Sequence, residues 1–441
     1  MIPNLTKSCA RFVVMLSFLF GSALTTNAQR NFKVSLFPTN QNGVAITWRA
    51  QSATPVGDLF IIPQFQVERS TDLKTWTPIG GLLTGSLNQA MSLVDSNASG
   101  GNYRVASIIQ KEYAQLNGVK LDFGQLSGAD FFGASLFGAH LAQADLTGAS
   151  FSGADLRNAD LSNANLTGAD LFGVEALGAI FDGGNLRGAD GGFGDFGLAS
   201  FFNTDLGNTD FRFSILSGAN LDFAVFKGMI LDSNTEMDPK PRLIWQIVNN
   251  GAPGAILTNK DLSIATLTNV NLSGAKLNGA NLNNTDFQNA DVRGANFTGA
   301  NLAFVDFRGT LLDGTTIIDT KSRLTWQILN QGGAGLDLHG TNLSSILLIN
   351  ANLSSANLSN ANCSGSAFLQ VNLNGANLAK VNFTGAHLLS TTMTNANLTQ
   401  AILTSADLSG ANFRNAITNG ATFTGAKFSN TIMPDGSIRN F

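Results

Sequence analysis

Acidic and aromatic residues recur at fixed spacings in this sequence, and they are the residues best placed to do chemistry. Four aspartates are separated by 20 or 40 positions: Asp130, Asp170, Asp190 and Asp210. A phenylalanine follows each of them by two or three positions: Phe132, Phe172, Phe193 and Phe213. Carboxylates beside exposed rings suit a protein partner, a glycan stacked on the rings, or a cation that bridges the acids. We therefore predict that these residues form one binding surface.

Residue types that support catalysis or metal binding show no comparable pattern. The histidines His140, His339 and His387 are far apart, and no pairing of His, Cys and Glu has the spacing of a zinc site. No glycine-rich loop precedes a helix to hold phosphate, and no serine is favoured as a nucleophile. The sequence predicts no catalytic residue, no metal site and no cofactor.

The acidic and aromatic residues are carried by a five-residue repeat. From Leu121 to Leu231 every fifth position is Leu or Phe except at Ala176 and Gly191, and Ala usually stands two positions earlier. A period of five fits neither an amphipathic helix nor an alternating strand. The segment is therefore an internal repeat, whose units need stacked neighbours for stability.

The repeat motif A-[DN]-[LF]-[ST]-[GN], present at residues 144–148, resembles the pentapeptide-repeat family. The resemblance implies an all-β fold, a right-handed four-sided β-solenoid with four pentapeptides per coil, in which Leu, Phe and Ala face inward. Residues 20 apart would then lie on consecutive coils, with the aspartates stacked beside the phenylalanines. A second acidic column is implied on the adjoining side: Asp155, Glu175 and Asp195.

Stacked carboxylates carry an energetic penalty. Like charges about 4.8 Å apart repel by about 1 kcal/mol in water, whereas stacked asparagines would not repel. Residues 119–231 contain five basic and thirteen acidic residues, a net charge of −8, but residues 336–433 contain three and two, a net charge of +1. The acidic columns are therefore expected to serve something other than stability.

Three arrays of the repeat follow one another: array 1 (119–231), array 2 (259–314) and array 3 (336–433). The segments between them, 232–258 and 315–335, are copies of each other, since Trp245 and its neighbours recur at an offset of 81 as Trp326 and its neighbours. Each segment predicts a short helical insert that packs on the solenoid through its Trp.

The chain before array 1 has a different pattern. Residues 1–28 place Lys7 and Arg11 ahead of an apolar stretch and a small-residue cleavage site, which predicts a secretory signal peptide and an exported protein without a membrane span after cleavage. Residues 29–106 alternate apolar runs with turns and resemble fibronectin type III-like modules, which implies a small antiparallel β-sandwich. Residues 107–118 predict a linker or cap helix.

The other end of the chain, 434–441, is a tail without a helical cap. An uncovered last coil would expose unpaired backbone groups, and the family resemblance implies dimerisation at this end. We therefore expect a homodimer contact at Phe428, Ile432 and Met433.

Composition and pattern together rank the functional classes. The net charge of −4 offers no positive field for nucleic acid. The leading hypothesis is a non-catalytic, secreted structural protein that presents a rigid solenoid surface to a protein or a glycan. The acidic array 1 also resembles the DNA-mimic role of some pentapeptide-repeat proteins that engage topoisomerases. A glycan-acting β-helix enzyme is a third hypothesis, against which the sparse basic residues argue.

Overall fold

The computed structural model describes residues 116–441 and, before them, the backbone of seven strands. These strands are β1 to β7: Phe32–Pro38, Val44–Ala50, Gln64–Ser70, Thr77–Pro78, Leu83–Thr84, Ala90–Asp95 and Asn102–Ser107. Strands β1, β2 and β6 form one antiparallel sheet, and β3 pairs with β4, β5 and β7 in another. The predicted signal peptide and most of the predicted cap helix lie outside the described residues, and the fibronectin type III-like identity stays a prediction.

Array 1 winds into coils of 20 residues. Parallel β-bridges join residues 20 positions apart, as in the pair Asp145 and Asn165. The amide of Leu146 donates to the carbonyl of Asn165 at 2.8 Å, so each coil is hydrogen-bonded to the next. The two residues after each central Leu or Phe form a corner, and the second of them has a left-handed φ, for example 62° at Gly148 and 56° at Asn158. Gly and Asn recur there because they tolerate this conformation.

The interior of array 1 is filled by the central residues and by the Ala two positions before them, almost all of which are buried. Gly191 interrupts the pattern because the ring of Phe211 occupies its space, and a Cβ on Gly191 would lie 2.7 Å from Cε1 of Phe211. The rings of Phe196 and Phe201 pack around Phe211 at centroid distances of 5.1 and 6.1 Å. The missing side chain is therefore compensated by large neighbours at close-packed density.

The chain divides into two compact units. Unit 1 ends at Arg242 and contains array 1, and unit 2 begins at Leu243 and contains arrays 2 and 3. The bridges between residues 20 apart continue in both arrays of unit 2. Two coils of array 3 carry short parallel strands, β8 (Leu347–Ile349) and β9 (Ala367–Leu369). The repeat therefore builds the same kind of coil in each unit.

Two helices lie in the segments between the arrays: α1 (Pro239–Asn250) and α2 (Thr320–Gln331). The side chain of Asp319 accepts a hydrogen bond from an amide in the first turn of α2, which stabilises that end of the helix. The indole of Trp326 donates to the carbonyl of Thr310 at 2.7 Å. Helix α2 is thus fixed to the last coil of array 2 through its Trp.

The C-terminal end of array 3 differs from the expectation of an open last coil. Strands β10 (Thr431–Ile432) and β11 (Ile438–Arg439) form an antiparallel hairpin. The guanidinium of Arg439 lies 3.9 Å from the ring centre of Phe428 and 4.5 Å from that of Phe441. The amide of Phe428 donates to the carbonyl of Phe441 at 3.1 Å. The tail therefore folds back and covers part of the last coil.

This hairpin changes the surroundings of the residues expected at a dimer contact. Phe428 is buried and belongs to the core of array 3. Ile432 and Met433 are half-buried. The sequence shows that no helix covers the last coil, but a hairpin closed by cation–π contacts depends on a fold-back that the repeat pattern does not encode.

Candidate binding surface

All four phenylalanines predicted at the binding surface are exposed in the structure. Between 43% and 57% of their accessible surface is in contact with solvent. They lie at one corner of their coils, Phe132 and Phe172 at the first corner position and Phe193 and Phe213 at the second. A row of exposed rings on one corner is the kind of apolar patch that marks a contact surface.

Three of the four rings form a continuous row. The rings of Phe172 and Phe193 have centroids 5.2 Å apart, and those of Phe193 and Phe213 are 4.6 Å apart and nearly parallel, at 8°. Phe132 lies two coils before Phe172, and Ser152 occupies the corner between them. We call Phe172, Phe193 and Phe213 the aromatic ridge; Phe132 is not part of it.

Two residues of the aromatic ridge have an unfavourable backbone conformation. Phe193 and Phe213 adopt φ angles of 58° and 61°, a region that disfavours a residue with a bulky Cβ substituent by about 1–2 kcal/mol. Gly173, at the same position one coil earlier, and Asn203, at another corner, have φ angles of 62° and 54°. The contact between two rings contributes about 0.5–1.5 kcal/mol. This energy is similar in size to the backbone strain, so the phenylalanines add little net stability to the fold.

A second apolar row occupies the next corner of the same coils. Leu177 and Leu198 are exposed, and Leu198 has a left-handed φ of 56°. Glycines make room for both side chains, since a Cβ on Gly197 would lie 3.1 Å from Cδ1 of Leu177 and one on Gly218 would lie 2.7 Å from Cδ2 of Leu198. We call Leu177 and Leu198 the leucine ridge.

Acidic side chains lie on both flanks of the aromatic ridge. Asp170, Asp190 and Asp210 are bridged in sequence on consecutive coils before this corner, whereas Asp130 is two coils away from Asp170. After the corner, the side of the solenoid between the two ridges carries the second acidic column. Its members are Asp155, Glu175 and Asp195, followed by Ile215 on the next coil.

Each aspartate near the ridge also has a structural contact at its corner. Oδ1 of Asp170 accepts from the amide of Phe172 at 3.0 Å, and Oδ1 of Asp190 accepts from the amide of Gly192 at 3.0 Å. The amide oxygen of Asn372 accepts from the amide of Asn374 at the same distance, 3.0 Å. The corner therefore accepts Asp and Asn equally, and it does not explain why array 1 uses the charged residue.

Arginines pair with one member of the first acidic column and with two of the second, since Arg157 also lies 3.5 Å from Glu175. Arg212 pairs with Asp210 at 2.6 Å, and its hydrogen bonds hold the pKa of that carboxyl below its ordinary value. Arg157 pairs with Asp155 at 2.8 Å and lowers the pKa of that carboxyl in the same way. Within the described residues, no ion pair within 4.0 Å involves Asp170, Asp190 or Asp195. Negative charge therefore remains beside the rings.

Metal-binding clusters and membrane-spanning helices are absent from the described residues. No group of three or more His, Cys, Asp and Glu residues that could hold a metal ion occurs in residues 116–441. None of the helices described is long and apolar enough to cross a membrane. Cys363 is fully buried at a central position of array 3, where desolvation raises the pKa of its thiol, so it serves as a small hydrophobic residue.

Sequence reasoning missed the leucine ridge and the strain at the aromatic ridge. The signal was present, because Phe193, Phe213 and Leu198 stand two positions after a central residue, where Gly and Asn are usual. A second ring pair, Phe202 and Phe223, lies at a different corner with centroids 5.7 Å apart. Phe223 shares the left-handed φ, at 58°, which makes it a natural control for the ridge.

The repeat region matches a protein-family model described as "Pentapeptide repeats (8 copies)". The matched residues are 114–153, 134–173, 149–188, 195–231, 254–284, 275–314, 337–375, 368–404 and 406–440. Together they make up more than half of the chain. No curated protein was found to match the chain.

Several solved structures are similar to the chain over part of its length. HetL, a pentapeptide repeat protein involved in heterocyst differentiation regulation from the cyanobacterium Nostoc sp. strain PCC 7120, is 21% identical, with 75% of this chain and 94% of HetL covered and a TM-score of 0.18. A pentapeptide repeat protein from the Arabidopsis thaliana thylakoid lumen is 30% identical, with 22% of this chain and 69% of that chain covered and a TM-score of 0.16. QnrB1, a plasmid-mediated fluoroquinolone resistance protein, is 13% identical, with 72% and 93% covered and a TM-score of 0.19.

The coils of 20 residues, the buried central Leu and Phe and the family match agree with one another. They correspond to the right-handed β-solenoid that the repeat motif predicts. On this evidence the chain belongs to the pentapeptide-repeat family.

Proposed function

We propose that this protein is a non-catalytic structural or interaction protein, exported from the cell that makes it, which presents a rigid solenoid surface to a protein or a glycan. Membership of the pentapeptide-repeat family supports the broader part of the proposal, because a solenoid offers an extended surface to partners. The aromatic ridge is the observation that supports a specific contact surface on array 1.

The ridge supports this proposal because the fold does not require its side chains. A smaller residue at these positions would serve the corner equally well. Phe193 and Phe213 are about half exposed and have a strained backbone. Asn or Gly at the same positions would remove the strain and keep the corner. Side chains that are kept in spite of such a cost point to a role outside the folding of the chain.

A photo-crosslinking experiment in the producing organism tests this proposal. A benzoylphenylalanine replaces Phe193 in one variant and Asn395 in a matched control. Asn395 has the same second corner position in array 3 and a φ of 58°. We expect a discrete crosslinked product with the first variant and none with the second. Absence of a product at position 193, or an equal product at both positions, would overturn the proposed contact surface.

Export rests on the sequence pattern of residues 1–28, and we propose cleavage after Ala28. Mass spectrometry of the protein isolated from its producing cells should find a mature chain that begins at Gln29. A chain that retains Met1 or begins elsewhere in the cytoplasmic fraction would contradict both the cleavage and the exported location.

The charge of array 1 favours one second candidate, mimicry of DNA toward a nucleic-acid-binding protein such as a topoisomerase. Its net charge of −8 is the supporting observation, since columns of carboxylates can imitate a row of phosphates. Inhibition of DNA supercoiling by the mature chain, together with its presence in the cytoplasm, would favour this candidate over the exported one.

A further inference from the structure

We infer that the side of array 1 between the aromatic ridge and the leucine ridge docks a polypeptide segment in which basic residues alternate with apolar ones. This inference rests on the proposed function, because it names the class of partner for the same surface. The lysine or arginine side chains of the partner would pair with Glu175 and Asp195, and its apolar side chains would pack on the ridges.

The first support is the order of side chains across this surface. Phe172 and Phe193 stand at one corner and Leu177 and Leu198 at the next, all four exposed. The side between these corners presents Glu175 and then Asp195 on consecutive coils. A partner must therefore offer cationic groups in the middle and apolar groups at both edges, a combination that a polypeptide provides.

The second support is charge complementarity. Glu175 shares the guanidinium of Arg157 with Asp155, at 3.5 Å and 2.8 Å, so one cation faces two carboxylates, whereas Asp195 has no ion pair within 4.0 Å among the described residues. Asp170 and Asp190 add negative charge on the far flank of the aromatic ridge. A bound cation would relieve the repulsion between successive carboxylates, so a basic partner is favoured over a neutral or an acidic one.

The third support is that neither ridge is explained by a smaller cationic ligand. The described residues contain no cluster of acids suited to a metal ion, and an isolated ion would make no use of the apolar corners. Nucleic acid is disfavoured by its own charge. A neutral glycan would stack on rings but would leave the acidic column uncompensated, so its binding is an outcome that would overturn this inference.

The test titrates the mature full-length chain with a short fluorescent peptide that alternates lysine with valine. Two comparison peptides replace every lysine with glutamate or every valine with serine. We expect saturable binding of the first peptide and none of the other two. Equal binding of the glutamate peptide, equal binding of the serine peptide, or no binding of the lysine peptide would overturn the inference, as would competition by a neutral oligosaccharide.

Variants of the chain locate the binding. Glu175→Gln with Asp195→Asn removes charge while retaining the bond from the Gly197 amide to the side chain of residue 195, at 2.9 Å in the parent. We expect this pair, and separately Phe193→Asn with Phe213→Asn, to weaken binding by about tenfold or more. Each variant should keep the melting temperature of the parent, because otherwise partial unfolding would explain the loss of binding.

Matched controls distinguish this surface from general charge and hydrophobicity. Asp145→Asn removes one charge from a different side and keeps the corner bonds that Asp145 accepts from Thr147. Phe223→Asn removes a left-handed phenylalanine from a different corner. Binding should be unchanged in both, and weakening equal to that of the ridge variants would overturn the inference. If the peptide fails to bind but the crosslink at position 193 forms, the partner class is wrong and the proposed function stands; if neither occurs, both are wrong.

Discussion

Arrays 1 and 3 build the same coil with different residues at the outward position before the central Leu or Phe. In array 3 the amide of Asn377 donates to Asn357 at 3.0 Å, and Asn357 donates to Asp337 at 2.9 Å. In array 1 the corresponding columns beside the aromatic ridge carry Asp170, Asp190 and Asp210, which cannot donate to one another when ionised.

The arrays also differ in the exposure of their phenylalanines, which is greater in array 1 than in array 3. No phenylalanine of array 3 is exposed, whereas array 1 has seven that are more than two-fifths exposed: Phe123, Phe132, Phe137, Phe172, Phe193, Phe202 and Phe213. Array 3 therefore uses its outward positions to join coils through side-chain hydrogen bonds. Beside the aromatic ridge, array 1 has carboxylates in place of those bonds and exposes charge and rings, which is what a contact surface requires.

Placing the acids of array 1 in array 3 should have the largest effect on stability. Asn357→Asp with Asn377→Asp removes two hydrogen bonds between coils and puts carboxylates on three consecutive coils together with Asp337. Each lost bond and each new repulsion is worth about 1 kcal/mol, so we expect array 3 to lose about 2–4 kcal/mol. Amide hydrogen exchange resolved by peptide should show faster exchange in residues 336–433 only. Unchanged protection there would mean that the hydrogen bonds among these side chains contribute nothing to stability.

The reverse exchange should stabilise array 1. In Asp170→Asn with Asp190→Asn, residue 190 can donate to residue 170 as Asn372 donates to Asn352, at 3.1 Å. One new bond and the loss of repulsion should add about 1–2 kcal/mol, visible as slower exchange in residues 165–215. Faster exchange would show that the carboxylates themselves stabilise the column.

Acid should affect array 1 more than array 3. The pKa of Asp210 and the pKa of Asp155 are lowered by hydrogen bonds from Arg212 and Arg157, so the unfolded chain binds more protons than the folded chain as the pH falls. The stability from these pairs is present above the ordinary aspartate range, about pH 4, and is lost as the pH falls through the folded values.

We therefore expect the protection factors of array 1 to decline below about pH 4, while the Asn columns of array 3, which do not titrate, keep theirs. Arg212→Gln should reduce the protection of the neighbouring coils at neutral pH and flatten their pH dependence. A pH profile that is identical in this variant and in the parent protein would contradict the role of the pair.

The smallest expected effect concerns the end of array 3. Arg439→Ala removes the guanidinium between the rings of Phe428 and Phe441, contacts worth about 0.5–1 kcal/mol each. With the hairpin loosened, Phe428, Ile432 and Met433 become available for the homodimer that we propose at this coil. Light scattering should detect more dimer in the variant than in the parent. A variant that stays as monomeric as the parent at high concentration would remove the support for this contact.

The sequence predicts the coil well because the register determines which residues are neighbours on the coils before and after. Positions 170, 190 and 210 follow one another on consecutive coils because 20 residues make one turn, and this holds for the acids and the rings alike. The same arithmetic separates Phe132 from the ridge, since position 152 is Ser. The sequence also contains the signal for backbone strain at the corner, because Phe193 and Phe213 occupy positions where Gly or Asn is usual.

Other features depend on contacts that the register does not determine. The leucine ridge was missed because Leu177 and Leu198 differ in corner position and become a row only when Gly197 leaves room for the first of them. The C-terminal hairpin needs Arg439 of the tail to reach the ring of Phe428 in the last coil as well as that of Phe441. Such contacts arise from the three-dimensional path of the chain, beyond the five-residue period.

The double variant Phe193→Asn with Phe213→Asn tests most directly whether the ridge serves contact rather than folding. Its unfolding free energy and its crosslinking are both measured. For the crosslink, benzoylphenylalanine replaces Phe172 in both the parent and the variant. Relief of strain at two corners, about 1–2 kcal/mol each, is of the same order as the loss of two ring contacts, about 0.5–1.5 kcal/mol each. We expect array 1 to keep or gain stability while its crosslinked product disappears. A variant that loses stability and retains the product would show that the rings belong to the fold.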